Sequence, residues 1–482
     1  MNDVDPDLRI GRLAASVRLG SIVAAAGCGK TQQIANAAKF GSGRRLILTH
    51  THAGIDVLRE RLKALKVPSG QFRLDTIAGW CLRYAASFPI RSGLATRVPR
   101  TDSEWIAVYL AATRLVESGA VDSILAATYT GVLVDEYQDC SVQQHEVIKA
   151  LSGRLSVCVF GDPLQAIFDF KGQEPVDWQA HVYPTFPKAG ELVKPWRWLK
   201  KKNPCLATWL KNIRDELEAG AEIDLAGCPD CVEWETLPAD PRLRTNKITE
   251  VCKRARGAAA NETLVVIADP ASIGARAYIA KQLAKVGFSA IEPIGCATLY
   301  AAARKFEKAT GLNQVEAVVG FAGDCMTGTA ETLFIAAVDA RRRGLRKGAA
   351  QFGSLIDLGV ALIDNPNPAN QLALLNGFHD RDNCYCYRRE MFYAMRAALL
   401  VCVNRPSSSL ANAIWEVQTA ARHAGRMVGR RCVGSTLLVK GLEFDHAVVV
   451  HTLGMTRKDW YVALTRASKS LRLLVPGQKL KF

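Results

Sequence analysis

The sequence predicts an α/β fold with two parallel-sheet domains, because short apolar runs alternate with stretches of helical periodicity. That alternation is the order in which parallel sheets are built. Four of the runs lie before residue 165 and two lie after residue 260, so we expect two α/β halves. The runs cover residues 21–26, 45–48, 131–134, 156–160, 263–268 and 447–451.

The domain organisation follows from chain length and from the positions of these runs. The chain has 482 residues, which is too long for a single hydrophobic core of ordinary size. We predict a first domain over residues 1–187 and the first part of a second domain over residues 188–295. Residues 296–423 show mainly helical periodicity, which predicts a helical insertion in the second domain. Residues 424–482 then complete that domain.

The charge of the chain is strongly positive. Lys and Arg number 62 against 46 Asp and Glu, a formal net charge of +16, which suits a polyanionic partner such as nucleic acid. A basic protein without such a partner is the alternative on charge alone. Apolar runs stay well below the roughly 18 residues needed to cross a bilayer, and the start is acidic where a signal peptide is basic. We therefore expect a cytoplasmic protein without membrane association.

Cysteine spacing raises zinc as an alternative. Cys228 and Cys231 have the two-residue gap of a zinc knuckle or a redox pair. The candidate second pair, Cys384 and Cys386, has a different gap and lies far away in the chain. We therefore include no zinc site in the prediction.

The segment 24–31 has the layout of a phosphate-binding loop, with the sequence AAAGCGKT. It follows an apolar run and precedes a predicted helix that begins near Thr31. In such a loop, backbone N–H groups hold phosphate, the lysine reaches the β and γ oxygens, and the hydroxyl ligates Mg²⁺. The predicted nucleotide contacts here are Ala26, Gly27, Cys28, Gly29, Lys30, Thr31 and Gln32, with Thr31 also a metal ligand.

Carboxylates follow a second apolar run in the segment 132–139, VLVDEYQD. A buried strand with acids at its tip suits Mg²⁺ binding by Asp135 and activation of the attacking water by Glu136. A capped strand-to-helix turn would explain one acid, but not Asp-Glu followed by Gln138 and Asp139. The two motifs together predict a nucleotide hydrolase that turns over slowly until a second ligand stimulates it.

Eight motifs in order resemble those of the UvrD/Rep/PcrA-like superfamily 1A DNA helicases. They are AAAGCGKT, LTHTHAG, DTIAGW, VDEYQD, GDPLQAIFDFKG, PWRW, VKGLEFD and YVALTRA, and they extend from Ala24 to Ala467. The resemblance implies two RecA-like domains with a helical insertion in the second. Because the segment between Trp80 and Val132 is short, the accessory insertion in the first domain is expected to be reduced to a helix or two. The implied ligands are ATP, Mg²⁺ and single-stranded DNA.

Three further catalytic residues are implied by this resemblance. Gln165 matches the glutamine that senses the γ-phosphate, and Arg197 and Arg466 match two arginines that reach it. An arginine suits this role because its planar guanidinium stays charged and binds oxygens in pairs. The complete predicted catalytic set is Lys30, Asp135, Glu136, Gln165, Arg197 and Arg466.

Other nucleotide contacts come from the same resemblance. Trp196 matches an aromatic residue that stacks on adenine, although Trp198 is an alternative for that ring. Gly441 and Glu443 match a motif that touches both ATP and DNA. Family members also carry a glutamine before the phosphate loop that recognises adenine, whereas the first glutamine here, Gln32, follows the loop.

The resemblance also implies a DNA-binding surface. Phe168 and Phe170 match aromatic residues that stack on bases, and base stacking needs no particular sequence because every base has a π face. The alternative for the two phenylalanines is that both rings lie in the hydrophobic core. The alternative for His50 and His52 is that they bind a metal ion. The predicted DNA-binding residues are Thr49, His50, Thr51, His52, Thr76, Trp80, Phe168 and Phe170.

The size of the chain narrows the resemblance. A compact member with reduced insertions resembles the helicase-like subunit of the Gabija antiphage system and the short UvrD-like proteins that accompany OLD-family nucleases. This implies a 3′ to 5′ translocase or helicase in antiphage defence with a nuclease partner. The alternative is an ATPase that senses DNA ends, controls the nuclease and unwinds little by itself. RNA remains open as a ligand, since stacking and phosphate contacts do not distinguish the sugars.

Overall fold

The structure, a computed structural model, describes residues 6–168, 173–255, 261–268, 272–293, 297–424 and 428–482. The chain divides into two compact units. The first consists of Met1–Ala221 and Thr456–Thr465, and the second of Glu222–Met455 and Arg466–Phe482. Each unit contains a six-stranded sheet in which all strand pairs are parallel.

Strands and helices alternate through the first unit. In chain order they are α1 (Pro6–Ser16), β1 (Leu19–Ala24), α2 (Lys30–Phe40), β2 (Arg45–Thr49), α3 (His52–Ala64), β3 (Phe72–Thr76), α4 (Ile77–Ser87), α5 (Pro89–Ser92), α6 (Asp102–Glu117), α7 (Asp122–Thr128), β4 (Gly131–Val134), α8 (Val142–Ser152), β5 (Ser156–Gly161), α9 (Tyr183–Thr185), β6 (Lys188–Leu192), α10 (Trp196–Lys200) and α11 (Pro204–Ala219).

The second unit combines a sheet with a long helical segment. Its elements, with one exception noted below, are β7 (Ile223–Asp224), β8 (Val232–Thr236), α12 (Pro241–Ala255), β9 (Leu264–Ile267), α13 (Ile273–Gln282), β10 (Ser289–Ala290), α14 (Ala297–Lys308), α15 (Leu312–Cys325), β11 (Met326–Thr327), α16 (Glu331–Arg342), α17 (Ala349–Phe352), α18 (Leu355–Asp364), α19 (Pro368–His379), β12 (Tyr385–Cys386), α20 (Arg389–Asn404), α21 (Leu410–Ala424), β13 (Arg431–Gly434), α22 (Thr436–Val439), β14 (Phe444–Val450), α23 (Arg457–Leu464), β15 (Ala467–Val475) and β16 (Lys479–Leu480). The exception is α23, which groups with the first unit although the strands before and after it belong to the second.

The strand order of the first sheet is β3-β2-β4-β5-β1-β6. Every residue of β2 and β4 is buried, because helices cover both faces of a parallel sheet and its strands are therefore mainly apolar. Since the strands run in one direction, all their carboxyl ends lie at one edge. In open α/β sheets that edge is where ligands bind.

The second sheet has the order β10-β13-β9-β14-β15-β8. Between β10 and β13 the chain forms the helices α14–α21, which share a hydrophobic core of their own. Aromatic pairs pack at its centre, where the ring centroids of Phe334 and Phe378 are 4.8 Å apart. The predicted helical insertion is therefore present.

The predicted α/β fold class with two parallel sheets is confirmed. All six predicted runs overlap strands of these sheets, but six other strands were not predicted: the four edge strands β3, β6, β8 and β10 and two inner strands of the second sheet, β13 and β15. Three of these edge strands carry polar, partly exposed residues, so they lack an apolar run. Because β6 pairs with β1, the first unit extends beyond residue 187, the predicted boundary. Between α4 and β4 the chain forms three helices, α5–α7, where one or two were predicted.

Candidate nucleotide-binding site

The phosphate loop connects β1 to α2 at the carboxyl edge of the first sheet. Gly27 and Gly29 have φ angles of 71° and 83°, a left-handed conformation that glycine adopts at low cost. The helix begins at Lys30 with Gly29 as its N-cap, so backbone N–H groups and the helix dipole face the loop. Cys28 is buried, whereas Gln32 is half-buried and donates to Asn36 at 3.3 Å.

Lys30 meets the two predicted carboxylates at this edge. Its Nζ lies 2.6 Å from Glu136 Oε2 and 3.5 Å from Asp135 Oδ1. Burial alone would lower the pKa of Lys30, but the charges of Glu136 and Asp135 raise it overall. Burial raises the pKa of Asp135, partly opposed by the Lys30 ammonium. The ammonium of Lys30 therefore stays charged and is held between two acids.

The backbone at the end of β4 directs these carboxylates. The backbone N–H of Asp135 donates to Leu48 O at 2.8 Å, and the N–H of Glu136 donates to Asp135 Oδ1 at 2.8 Å. Glu136 itself has a φ of 54°, a left-handed conformation that costs a residue with a side chain about 1–3 kcal/mol. Strain of this kind is typical of functional sites.

The side chains predicted to hold Mg²⁺ suit that ion. Asp135 offers a carboxylate and Thr31 a hydroxyl, and Mg²⁺ prefers oxygen ligands of this kind together with water and phosphate. Asp135 is 4% exposed and has a fixed orientation through its bond to the Glu136 N–H. Within the described residues, no group of three or more His, Cys, Asp or Glu side chains could hold a metal ion.

A hydrogen-bond network extends from Glu136 to the end of β5. Gln138 Nε2 donates to Glu136 Oε2 at 2.5 Å, and Gln138 Oε1 accepts from the backbone N–H of Asp162 at 3.0 Å. Asp162 Oδ2 in turn accepts from Gln165 Nε2 at 2.8 Å. The structure thus connects Gln165, the predicted γ-phosphate sensor, with the predicted base.

The segment after β6 packs on the phosphate loop. The backbone N–H of Arg197 donates to Gly27 O at 3.1 Å, and Arg197 Nη1 donates to Thr465 O at 2.5 Å. A Cβ atom at Gly27 would lie 2.8 Å from the Cβ of Arg197 and 2.9 Å from the Trp198 ring. Only glycine fits there, so this segment and the loop are matched in shape.

The two alternative tryptophans differ in exposure. Trp198 is 2% exposed, whereas Trp196 is half-buried and has the Lys194 ammonium 3.8 Å from its ring centroid. Trp196 therefore keeps surface that a base could contact, and Trp198 is a core residue beside Gly27.

The remaining predicted nucleotide contacts belong to the second unit. Arg466 is 1% exposed and donates to Leu442 O at 3.1 Å. Gly441 has a φ of 79° and is exposed, as is Glu443.

The predicted DNA-binding residues fall into three groups. Thr51 and Thr76 cap α3 and α4 by accepting from the N–H groups of Gly54 and Gly79. Thr49 is buried, while His50 and His52 are half-buried, and His50 Nε2 lies 3.5 Å from Cys140 Sγ. Phe168 is half-buried, and Phe170 lies outside the described residues.

Trp80 needs a correction. Its side chain is 0% exposed, and its ring stacks on Tyr84 with the centroids 4.4 Å apart. A ring without exposed surface cannot stack on a base, so the structure makes Trp80 a core residue of the first unit.

Sequence reasoning missed two residues that complete the network. Arg214 on α11 donates to both Asp162 and Tyr461 at 2.8 Å, and the hydroxyl of Tyr461 accepts from the backbone N–H of Ala26 at 3.1 Å. The available signal for Arg214 was its spacing, four residues after Leu210 and three before Leu217, which puts a charge on the apolar face of α11. Tyr461 lies in the YVALTRA motif, where only the arginine was singled out.

No described helix is long and apolar enough to cross a membrane. The solved structures that are similar to this chain include two helicase structures, both with low similarity. One is titled as a complex of arterivirus nonstructural protein 10 (helicase) with DNA, at 10% identity and a TM-score of 0.37, covering 97% of this chain and 63% of that one. The same helicase in the other structure gives 10% identity and a TM-score of 0.30, covering 97% of this chain and 61% of that one. The chain thus spans less than two thirds of that helicase.

Comparison of sequences gives a family for one part of the chain. No curated protein matches it, but the family model of the UvrD/REP helicase N-terminal domain matches residues 101–180. The matched segment includes Asp135, Glu136, Asp162 and Gln165. The part of the chain that carries these four residues is therefore similar to the N-terminal domain of UvrD/REP helicases.

Proposed function

We propose that the protein is an ATP-dependent translocase or helicase that moves along single-stranded DNA. The observation that carries the proposal is the contact of the Lys30 ammonium with Glu136 and Asp135, at 2.6 and 3.5 Å, beside the phosphate loop. A lysine, a loop of N–H groups and two acids are the parts that nucleotide hydrolysis requires. The similarity of residues 101–180 to the UvrD/REP helicase N-terminal domain supports the choice of nucleic acid as the track.

The site would work by an exchange of partners at Lys30. When the phosphates of ATP bind, their oxygens compete with Glu136 for the ammonium. Glu136 would then lose its ion pair and be available to accept a proton from the attacking water. Gln138, which donates to Glu136 Oε2, would keep that carboxylate oriented.

Mg²⁺ would be held by Asp135 and Thr31 and would neutralise charge on the phosphates. Gln165 would contact the γ-phosphate while Asp162 holds its carboxamide. Arg197 and Arg466 are proposed to stabilise the charge that develops on the transferred phosphoryl group. Trp196, Gly441 and Glu443 would complete the nucleotide contacts.

The proposed DNA contacts combine stacking with phosphate binding. Phe168 and Phe170 would stack on bases, each base contributing about 1–3 kcal/mol. Thr49, His50, Thr51, His52 and Thr76 would contact phosphates without reading sequence. The net charge of +16 favours such a polyanion.

The finer parts of the proposal rest on the resemblance of the compact chain to Gabija-like proteins. They are 3′ to 5′ polarity, a cytoplasmic role in antiphage defence, recognition of DNA ends, and a partner nuclease of the OLD family.

A second candidate function is a regulatory ATPase that senses DNA ends, controls a partner nuclease and unwinds little by itself. The burial of Trp80 favours it, because the first unit then has one stacking ring fewer than the sequence predicts. Weaker stacking on single bases suits recognition of a DNA end more than strand separation.

The test is ATP hydrolysis with and without single-stranded DNA, for the wild type and for Glu136→Gln. We expect stimulation by DNA and a loss of about 10²–10⁴-fold in the variant, the usual contribution of a general base. Glu146→Gln is the matched control, because Glu146 is an exposed glutamate on α8 that pairs with Lys149. The proposal would be ruled out if DNA did not stimulate ATP hydrolysis and Glu136→Gln did not lower its rate.

Strand displacement separates the two candidates. The protein alone should displace a strand from a 3′-tailed duplex if it is a helicase. DNA-stimulated hydrolysis without displacement would favour the sensor.

A further inference from the structure

Arg214 is a buried charge that the proposed chemistry does not use. It lies on α11 and is 7% exposed. Burial alone would lower its pKa, but the carboxylate of Asp162, itself 0% exposed, raises the pKa overall. Taking two charges out of water costs several kcal/mol per ion, and an apolar pair of similar volume is often equally stable. The position of this pair therefore calls for a reason other than stability.

One nitrogen of Arg214 bridges two motifs. Its Nη1 donates to Asp162 Oδ1 at 2.8 Å and to the hydroxyl of Tyr461 at 2.8 Å. Its Nη2 lies 2.9 Å from Oε1 of Glu218, whose side chain is half exposed. The two bonds of Nη1 are buried and share one donor atom, so a shift of either acceptor changes the geometry of the other bond.

Each acceptor of Arg214 holds a different part of the nucleotide site. Tyr461 accepts from the backbone N–H of Ala26, in the phosphate loop, at 3.1 Å. Asp162 accepts from Gln165 Nε2 at 2.8 Å. A continuous path of hydrogen bonds therefore runs from the phosphate loop through Tyr461, Arg214 and Asp162 to Gln165.

We propose that Arg214 is a positioning residue that couples the phosphate loop at Ala26 to the carboxamide of Gln165. This inference rests on the proposed function, in which Gln165 contacts the γ-phosphate. Arg214 touches no reacting atom; it sets where Gln165 lies when the loop is occupied. The segment after Gln165 leads to Phe168, so the same path connects phosphate binding to a proposed DNA contact.

The test uses Tyr461→Phe, which removes the hydroxyl but keeps the buried ring. We expect kcat at saturating DNA to fall about tenfold, equivalent to about 1.4 kcal/mol, while KM for ATP changes by less than about twofold. In a Gln165→Ala background, the same substitution should lower kcat by less than about twofold further, because residues that act through one another are not additive. Arg214→Lys, which keeps the charge and one bridging nitrogen, should retain more activity than Arg214→Met.

Glu218→Gln is the matched control, since it removes the exposed partner of Arg214 and leaves both Nη1 bonds; kcat should not change. If Tyr461→Phe and Gln165→Ala multiply in the double variant, the coupling does not exist. A fall in kcat that merely follows the folded fraction, measured from the melting temperature, would also overturn it. In both cases hydrolysis by the wild type would leave the proposed function standing, whereas absence of wild-type hydrolysis would remove both.

Discussion

The two units contain the same kind of sheet but carry different chemistry at its carboxyl edge. In the first unit, β1 leads to Lys30, β4 to Asp135 and Glu136, and β5 to Asp162. In the second, the described residues directly after β9, β13 and β14 are Ala268, Ser435 and His451, and Ser435 serves as the N-cap of α22. A parallel sheet provides a place for a ligand, and only the loops that follow its strands decide whether anything is bound there.

A second difference concerns the buried ion pairs. In the second unit, Arg388 binds Glu292 through two nitrogens at 2.6 and 3.2 Å. In the first unit, Arg214 uses one nitrogen for Asp162 and Tyr461. The Arg388 pair joins two side chains to each other, whereas Arg214 joins two parts of the candidate site.

The largest expected effect is on the ion pair of the second unit. Arg388→Met leaves Glu292 without its guanidinium partner, and breaking a buried pair costs about 3–5 kcal/mol of unfolding free energy. Urea denaturation should show this loss, and Arg388→Met with Glu292→Leu should recover most of it. The rate of ATP hydrolysis per folded molecule should stay unchanged. A double variant as unstable as the single one would mean that packing, rather than the loss of the ion pair, sets the cost.

The next effect concerns nucleotide binding. Lys30→Met removes the ammonium that is proposed to bind phosphate, and a charge-assisted hydrogen bond contributes about 1.5–3 kcal/mol, so ATP affinity should fall about a hundredfold. Titration with a fluorescent ATP analogue would measure it. Lys469→Met is the control in the second unit, where Lys469 lies 3.5 Å from Asp445 and also pairs with Glu262. Equal losses of ATP affinity in both variants would contradict the proposed difference between the carboxyl edges of the two sheets.

A smaller effect is expected on DNA binding. Phe168→Ala with Phe170→Ala should raise the DNA concentration that gives half-maximal stimulation about thirtyfold, since two stacked bases contribute at least about 2 kcal/mol together. ATP binding without DNA should stay the same. Trp415→Ala removes an exposed ring of the second unit as a control. Unchanged stimulation in the double variant, with the fold intact, would mean that both rings are core residues rather than DNA contacts.

The most gradual effect is the pH dependence of stability in the first unit. His145 is 2% exposed, its Nδ1 lies 2.8 Å from the hydroxyl of Tyr137, and burial lowers its pKa to about 4. Between pH 6.5 and about 4, His145 is therefore protonated in the unfolded chain and neutral in the folded chain. The unfolding free energy should fall between pH 6.5 and 4 by at most about 1.4 kcal/mol per pH unit.

Denaturation of the wild type and of His145→Gln across this pH range would test that slope. The variant should show a flatter dependence, because it lacks the imidazole of His145. Parallel curves for wild type and His145→Gln would contradict the prediction.

Much of the candidate site could be predicted from the sequence because its parts are local. The phosphate loop, the acids after β4 and the motif that contains Gln165 are each continuous segments, and strand direction brings their ends to one edge. What could not be predicted is which side chains face inward. The DTIAGW motif predicted an exposed Trp80, but packing of α4 on the first sheet's core buried it.

The sequence by itself determined the two parallel sheets, the helical insertion and the candidate residues Lys30, Asp135 and Glu136, because apolar periodicity and short motifs are properties of neighbouring residues. Only the tertiary structure revealed the contacts of Arg214, whose acceptors Asp162 and Tyr461 lie 52 and 247 residues away in the chain. Contacts across such separations arise when the sheet and helices pack, and no local pattern specifies them.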